Sequence, residues 1–383
     1  MSSGSRVIVR RARAGDLGEI LAIINTVWRR PDGSPGDILS SHPFLFHDGR
    51  IPDHFVYEVD GRLWGVVGAY PYDVRLGGIG FRMAGIGQVI CLPEHRGRGV
   101  MTAILRRVIA ALEDEGYDAA WLMGDRQRYA HFGWARGGRA LHFTTNQRYL
   151  PDASAAAIRP LDIERGFARV REHIHALPYT MLMPDEELRS LFRARKVNGW
   201  ALSDSFILLD AGRDRVHFAD GKPDEIALLI AHQQSINAET SRDRCQMLIE
   251  TPCAPSPLVQ ACREIFASAS MQQCASFRIV RLVPFLEKAI RMVEGAIPQG
   301  TDKLELMNTD TGEAVTLTAA QGEAQVTEGA SEKAVRLDTV RLTELFFDWI
   351  PAEIHLPNLA ADSPLRALLP LNVFMSHFFV VVV

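Results

Sequence analysis

Val89-Ile90-Cys91-Leu92-Pro93-Glu94-His95-Arg96-Gly97-Arg98-Gly99-Val100-Met101 is the stretch that decides the fold. Apolar residues from Met83 to Leu92 predict a strand, and Pro93 to Gly97 interrupts it. Met101, Ile104, Leu105, Val108 and Leu112 then fall on one face of a helix that ends at Gly116. A strand entering a turn of arginines and glycines, with a helix starting there, aims free backbone N–H groups at one spot. Such a spot suits a pyrophosphate, with Gly97 and Gly99 permitting close approach and Arg96 and Arg98 adding charge. The spacing matches neither the dinucleotide fingerprint nor the P-loop. Taken alone, the turn is equally compatible with a tight connection carrying solvated arginines.

Working outward, Leu17, Ile20, Leu21, Ile24, Val27 and Trp28 recur at helical spacing behind Asp16, an N-cap candidate. Phe55–Val59 and Trp64–Tyr72 flank Asp60-Gly61, a hairpin signature, and Ala119–Met123 reads as a further strand. A mixed α+β layer with one crossover is expected over residues 1–150. Pro151–Ala157 reads as a linker, and residues 151–275 repeat the order loosely. Strands are predicted at Phe206–Asp210, Val216–Ala219 and Cys245–Ile249, and helices at Pro223–Asn237 and Ser256–Ala267. No arginine-glycine turn joins strand to helix there, so this second part lacks the anion site of the first. Residues 276–383 begin a third pattern, with a helix over Pro284–Val293, a polar hairpin at Thr309–Gly312 and a helix over Thr339–Trp349.

Composition removes several classes. In 383 residues, 47% hydrophobic and 23% charged with net charge −4, the balance is that of a soluble globular protein, and a strongly basic nucleic-acid surface is disfavoured. The five cysteines form no Cys-x-x-Cys pair and no zinc-ligand spacing, which fits a reducing cytoplasm and no metal. Arg6, Arg10, Arg11 and Arg13 precede no apolar signal region, and the run Phe378–Val383 is far short of the roughly 20 residues of a spanning helix. A cytoplasmic chain without a membrane span is the expectation.

Pro-x-x-Arg-Gly-x-Gly after a strand resembles the coenzyme A loop of the GNAT superfamily of acyltransferases. Its Gln/Arg-x-x-Gly-x-Gly/Ala pattern falls on Arg96, Gly99 and Met101, the methionine departing from the small residue usual there. Gly124-Asp125-Arg126-Gln127-Arg128-Tyr129-Ala130-His131-Phe132-Gly133-Trp134 is similar to the Tyr-x-x-Phe-Gly-aromatic segment of the enhanced intracellular survival (Eis-like) N-acetyltransferases. The resemblance is specific in the first 150 residues and architectural afterwards. It implies two GNAT-like domains, the second degenerate, followed by a sterol-carrier-like α/β domain.

The resemblance also implies acetyl-CoA as cosubstrate, a small-molecule or lysine-type amine as acceptor, and a homo-oligomer. It assigns the pantetheine to the strand at Val89, Ile90 and Cys91. The pyrophosphate goes to Arg96, Gly97, Arg98, Gly99, Val100, Met101 and Thr102. Tyr129 becomes the general acid, since a phenol of pKa about 10 can protonate a departing thiolate of similar basicity. Val383 supplies a C-terminal carboxylate, which becomes a useful base only on burial or through water. Trp28, Phe44, Phe46 and Asp125 are candidates for an amine cleft. His131 reads as structural, and Cys91 as a small buried residue with no base beside it. Two rivals stay open: binding of acyl-CoA or an apolar ligand without turnover, and transfer of a longer acyl chain or to a protein acceptor.

Overall fold

The computed structural model describes residues 6–30, 32–240 and 246–379. They divide into two compact units, one gathering the chain up to Gly137 with Ala275–Leu371, the other Gly138–Cys274 with Asn372–Phe379. Both are mixed α+β. Among the described residues no helix is long and apolar enough to cross a membrane.

In the first unit the strands Val7–Arg11, His54–Val59, Arg62–Leu76 and Ile79–Cys91 follow one another antiparallel. Ala119–Leu122 lies parallel beside Ile79–Cys91, and Ala275–Ile279 and Ala135–Gly137 complete the path. The helix Val100–Asp114 makes the crossover and buries Val100, Ile104, Leu105, Val108, Ala111 and Leu112 against Phe55, Val67, Ala84 and Ile86. Each of the valine, leucine and isoleucine side chains is worth about 1.5–3 kcal/mol of burial. Gly65 makes the packing possible: a Cβ there would lie 2.8 Å from both the Ile90 carbonyl oxygen and Val100 Cγ1.

The helix Leu17–Val27 covers the sheet with Ile20, Ile23 and Ile24. Asp16 stands at its N-cap but does not cap it with its side chain. Its carboxylate instead accepts from the Arg10 guanidinium at 2.6 and 3.0 Å and from the Arg13 N–H at 2.6 Å.

After Ala275–Ile279 the chain adds the helix Leu282–Met292 and a four-stranded sheet. That sheet runs Glu323–Glu328, Ala314–Ala320, Thr301–Asn308 and Val335–Leu337, the last parallel to its neighbour. The buried Asp118 carboxylate, 2.5 Å from Lys288 Nζ and accepting Arg82 N–H at 2.7 Å, ties this part to the strand Ala119–Leu122. The helix expected over Thr339–Trp349 spans Thr339–Phe347, two residues shorter, and the short helix Ala352–His355 follows it.

The second unit has its own sheet, in the order Phe266–Gln272, Ala140–Thr145, Leu248–Pro252, Arg215–Asp220, Ser205–Leu209, Asn198–Leu202 and Arg159–Pro160. Ala140–Thr145, which the sequence reading keeps before a boundary at 150, pairs here, whereas Ala275–Ile279 belongs to the first sheet. Strand pairing across more than a hundred residues sets these memberships. The helix expected over Ser256–Ala267 stops at Ile265, and Phe266–Gln272 turns into a strand because it pairs with Ala140–Thr145. The strand expected at Cys245–Ile249 runs Leu248–Pro252, and Cys245 lies outside the described residues.

Candidate active site

The parallel pair in the first unit is short. Met83–Ile86 pairs with Ala119–Leu122, and beyond Ile86 the longer strand continues to Cys91 with no partner on that side among the described residues. A β-bulge marks the parting, where Gln88 and Val89 face the single residue Val67 and Gln88 takes a positive φ of 45°. A non-glycine residue in that region needs support from its surroundings. A buried chain supplies it: the Tyr70 hydroxyl joins the Gln88 side-chain amide to His54 Nε2 (2.9 Å), and His54 Nδ1 meets the Arg50 and Ile51 carbonyls at 3.1 and 3.2 Å. Burial pushes the His54 pKa down to about 4, so the ring stays neutral.

The opened strand edge leads into the turn. Pro93–His95 forms a 3₁₀ turn, Gly97 and Gly99 adopt φ of 75° and 76°, and Gly99 is the N-cap of Val100–Asp114 without a capping side chain. The first helical bond runs from Ala103 N–H to the Gly99 carbonyl at 2.9 Å. The N–H groups of Val100, Met101 and Thr102 therefore precede the ladder and face outward. Arg98 turns away onto the Trp64 ring, 5.4 Å from its centroid, and His95 stacks on the same ring at 3.8 Å. Trp64 thus braces the turn from behind.

A cleft of about 600 Å³ joins these features. Of the residues expected from sequence, its wall includes Trp28, Val89, Ile90, Cys91, Arg96, Gly97, Gly99, Val100, Met101 and Thr102. It adds Val27, His95 and Arg128, which sequence reasoning missed; the signals were a histidine inside the turn and a cation beside Tyr129. Arg98 is not in the wall. Phe44 and Phe46 are buried, 1% and 4% exposed, with Phe46 packed on His54. Asp125 caps the short helix Arg126–Ala130 by accepting the Gln127 N–H at 2.9 Å, a structural use of the carboxylate. Val383 lies outside the described residues.

Tyr129 sits next to this wall, 7% exposed, its ring in the core with Ala120, Leu122 and Trp134. Burial pushes its phenol pKa up, and the Arg128 guanidinium, hydrogen-bonded to it, works in the opposite direction. Arg128 therefore links Tyr129 to the cleft. Burial also raises the Cys91 thiol, which donates to the Leu92 carbonyl at 3.4 Å and stays protonated, a poor nucleophile. Among the described residues no group of three or more His, Cys, Asp or Glu is placed to hold a metal ion.

Gly124 fixes where the phenol lies, because a Cβ at that position would collide with the Tyr129 ring. Gly124→Ala is expected to displace the ring. Near-ultraviolet circular dichroism of the folded variant checks this; an unchanged tyrosine signal would show that position 124 does not set the ring.

Residues 8–137, which hold the bulge, the turn and Tyr129, match the family model of the acetyltransferase (GNAT) domain. The chain carries an acetyltransferase domain. That makes it an enzyme. A search of curated proteins finds no match. Among solved structures, the chain is similar to a probable N-acyltransferase from Enterococcus faecalis V583, with TM-score 0.72, 19% identity and 95% of each chain covered. A GCN5-related N-acetyltransferase from Anabaena variabilis gives TM-score 0.69 at 17% identity, covering 97% of this chain and 98% of that one. Eis1 from Mycobacterium abscessus gives 0.63 at 15%, with the same coverage. At these identities the likeness is one of fold, and it extends well past the acetyltransferase domain.

Proposed function

We propose that the chain moves an acetyl group from acetyl-CoA to a primary amine, of a small molecule or a lysine, by direct attack. The observation that carries this is the cleft, which joins an unpaired strand edge to an arginine-glycine turn at a helix N-terminus inside the acetyltransferase domain. Val89–Cys91 offers backbone groups to the amides of the pantetheine arm, and the N–H groups of Gly97–Thr102 with Arg96 meet the pyrophosphate. Tyr129 gives its proton to the departing thiolate, and the carboxylate of Val383 takes the proton of the attacking amine. With Cys91 protonated and no base beside it, no covalent enzyme intermediate is needed. Proximity provides most of the acceleration and the acid about 10²–10⁴-fold.

The Eis-like architecture is part of the same proposal. Residues 151–275 act as a degenerate GNAT-like part, and residues 276–383, with a four-stranded sheet under helices, as a sterol-carrier-like part. In the second unit the strand-to-helix turn is Gly221-Lys222-Pro223, the helix starts on a proline that has no N–H, and Ser205 Oγ takes the Lys222 N–H at 3.0 Å. Nothing there resembles the anion-binding turn. One acetyl-CoA per chain is therefore expected by titration calorimetry, and a stoichiometry of two would contradict the reading.

A further inference from the structure

The sheet of the first unit is completed by a strand from outside residues 8–137. Ala275–Ile279 inserts between Ala119–Leu122 and Ala135–Gly137, antiparallel to both. It brings Arg278, 6% exposed, to the turn that follows Tyr129. A charge held so deep is costly unless it is paired. Burial pulls the Arg278 pKa down, and the carboxylates of Glu113, Asp310 and Glu313 oppose that.

Arg278 joins two elements of the site. Its Nη1 donates to the Phe132 carbonyl at 2.9 Å, and Nη2 donates to Glu113 Oε1 at 3.4 Å. Phe132 belongs to the turn in which the N–H groups of Phe132 and Trp134 close on the Tyr129 carbonyl at 2.9 and 3.3 Å. Glu113 lies in the last turn of Val100–Asp114, the helix whose first turn walls the cleft. The guanidinium also lies 5.8 Å from the centroid of the Trp134 ring. Gly133 makes room for it: a Cβ there would collide with Arg278 Nη1 and come within 2.8 Å of Thr339 Cγ2, and φ is 84°. The glycine of Phe132-Gly133-Trp134 thus answers to an arginine far along the chain.

We infer that Arg278 is a positioning residue for Tyr129, tying the turn that carries the phenol to the far end of the helix that starts at the cleft. The inference rests on the acid role proposed for Tyr129. Arg278 is not among the residues that wall the cleft, so it acts through the turn.

Arg278→Met keeps an apolar stem and removes every donor, whereas Arg278→Lys keeps the charge on a single donor group. Each is made in the full-length chain and in its Tyr129→Phe variant, with circular dichroism as the folding control. Turnover with an amine acceptor and acetyl-CoA affinity are measured in all of them. Arg278→Met should lower kcat about tenfold or more with affinity unchanged, as expected of a displaced catalytic group. Arg278→Lys should recover part of that loss, and it carries the test where Arg278→Met fails to fold. In the Tyr129→Phe chain neither change should lower kcat more than about twofold, because no hydroxyl is left to place. Equal losses in the two backgrounds would overturn the inference, since a merely structural arginine acts in both alike. Full kcat in folded Arg278→Met would overturn it as well. Tyrosine ring resonances give a readout free of turnover, that of Tyr129 being identified by its loss in Tyr129→Phe. It should move in Arg278→Met and move less in Arg278→Lys. Full kcat in Tyr129→Phe would instead remove the acid role; the resonance then decides alone, a shift supporting Arg278 as the residue that places the ring and a fixed signal overturning it.

Discussion

Gly99→Asp weakens acetyl-CoA binding by about 10²–10³-fold in a protein that still folds. Position 99 has φ 76°, a left-handed conformation that aspartate tolerates better than most L-residues, and no heavy atom lies within 4 Å of a Cβ built there. The side chain therefore projects into open space at the cleft, in front of the N–H groups of Val100, Met101 and Thr102. A carboxylate in that place competes for those donors and repels the pyrophosphate. Two unit charges about 4 Å apart at an effective dielectric of 20 interact by about 4 kcal/mol, enough for the loss expected even after partial screening. Gly99→Asn has the same shape without the charge and should lose about tenfold at most, the scale of the backbone strain alone. Calorimetry on both variants, with circular dichroism as the folding control, separates charge from shape. Unchanged affinity in folded Gly99→Asp would reject the assignment of the turn.

Tyr129→Phe keeps the buried ring and its packing while removing one hydroxyl, so kcat should fall by about 10²-fold or more with the Michaelis constant for acetyl-CoA nearly unchanged. The pH profile carries a second signature. Burial favours the neutral phenol and raises its pKa, so Tyr129 keeps the proton it must give throughout the neutral range. The basic limb of kcat should lie above the ordinary phenol value and disappear in Tyr129→Phe. A Gly-Ser extension after Val383 makes the matching test of the carboxylate, because it moves the charge and removes no apolar packing. Full activity in the extended chain would leave Tyr129 with water or another base.

Local pattern made part of this site legible in advance. Met101, Ile104, Leu105, Val108 and Leu112 announce their helix, and the run to Leu92 announces its strand, so the turn between them could be placed. Gly97 and Gly99 do adopt the positive φ that their position suggests. What remained hidden depends on contacts distant in sequence. Gln88 bulges without being glycine because Tyr70 and His54, 18 and 34 residues earlier, hold it. Trp64 takes up Arg98, which the turn alone seemed to aim at the anion. Phe44 and Phe46 look available in a loop of polar and small residues, yet they fill core under that loop. Ala140–Thr145 and Ala275–Ile279 carry no mark of the sheet each joins, since period-two alternation says that a strand forms and not with what it pairs.

The most direct measurement is release of free CoA thiol from acetyl-CoA by the purified chain across a panel of primary amines, with acetylated product quantified in the same reactions. The expected result is amine-dependent release, one thiol per acetylated amine, slowed about 10²-fold in Tyr129→Phe. Tight binding of one acetyl-CoA with no amine-dependent thiol release, or release undiminished in Tyr129→Phe, would contradict transfer by this site.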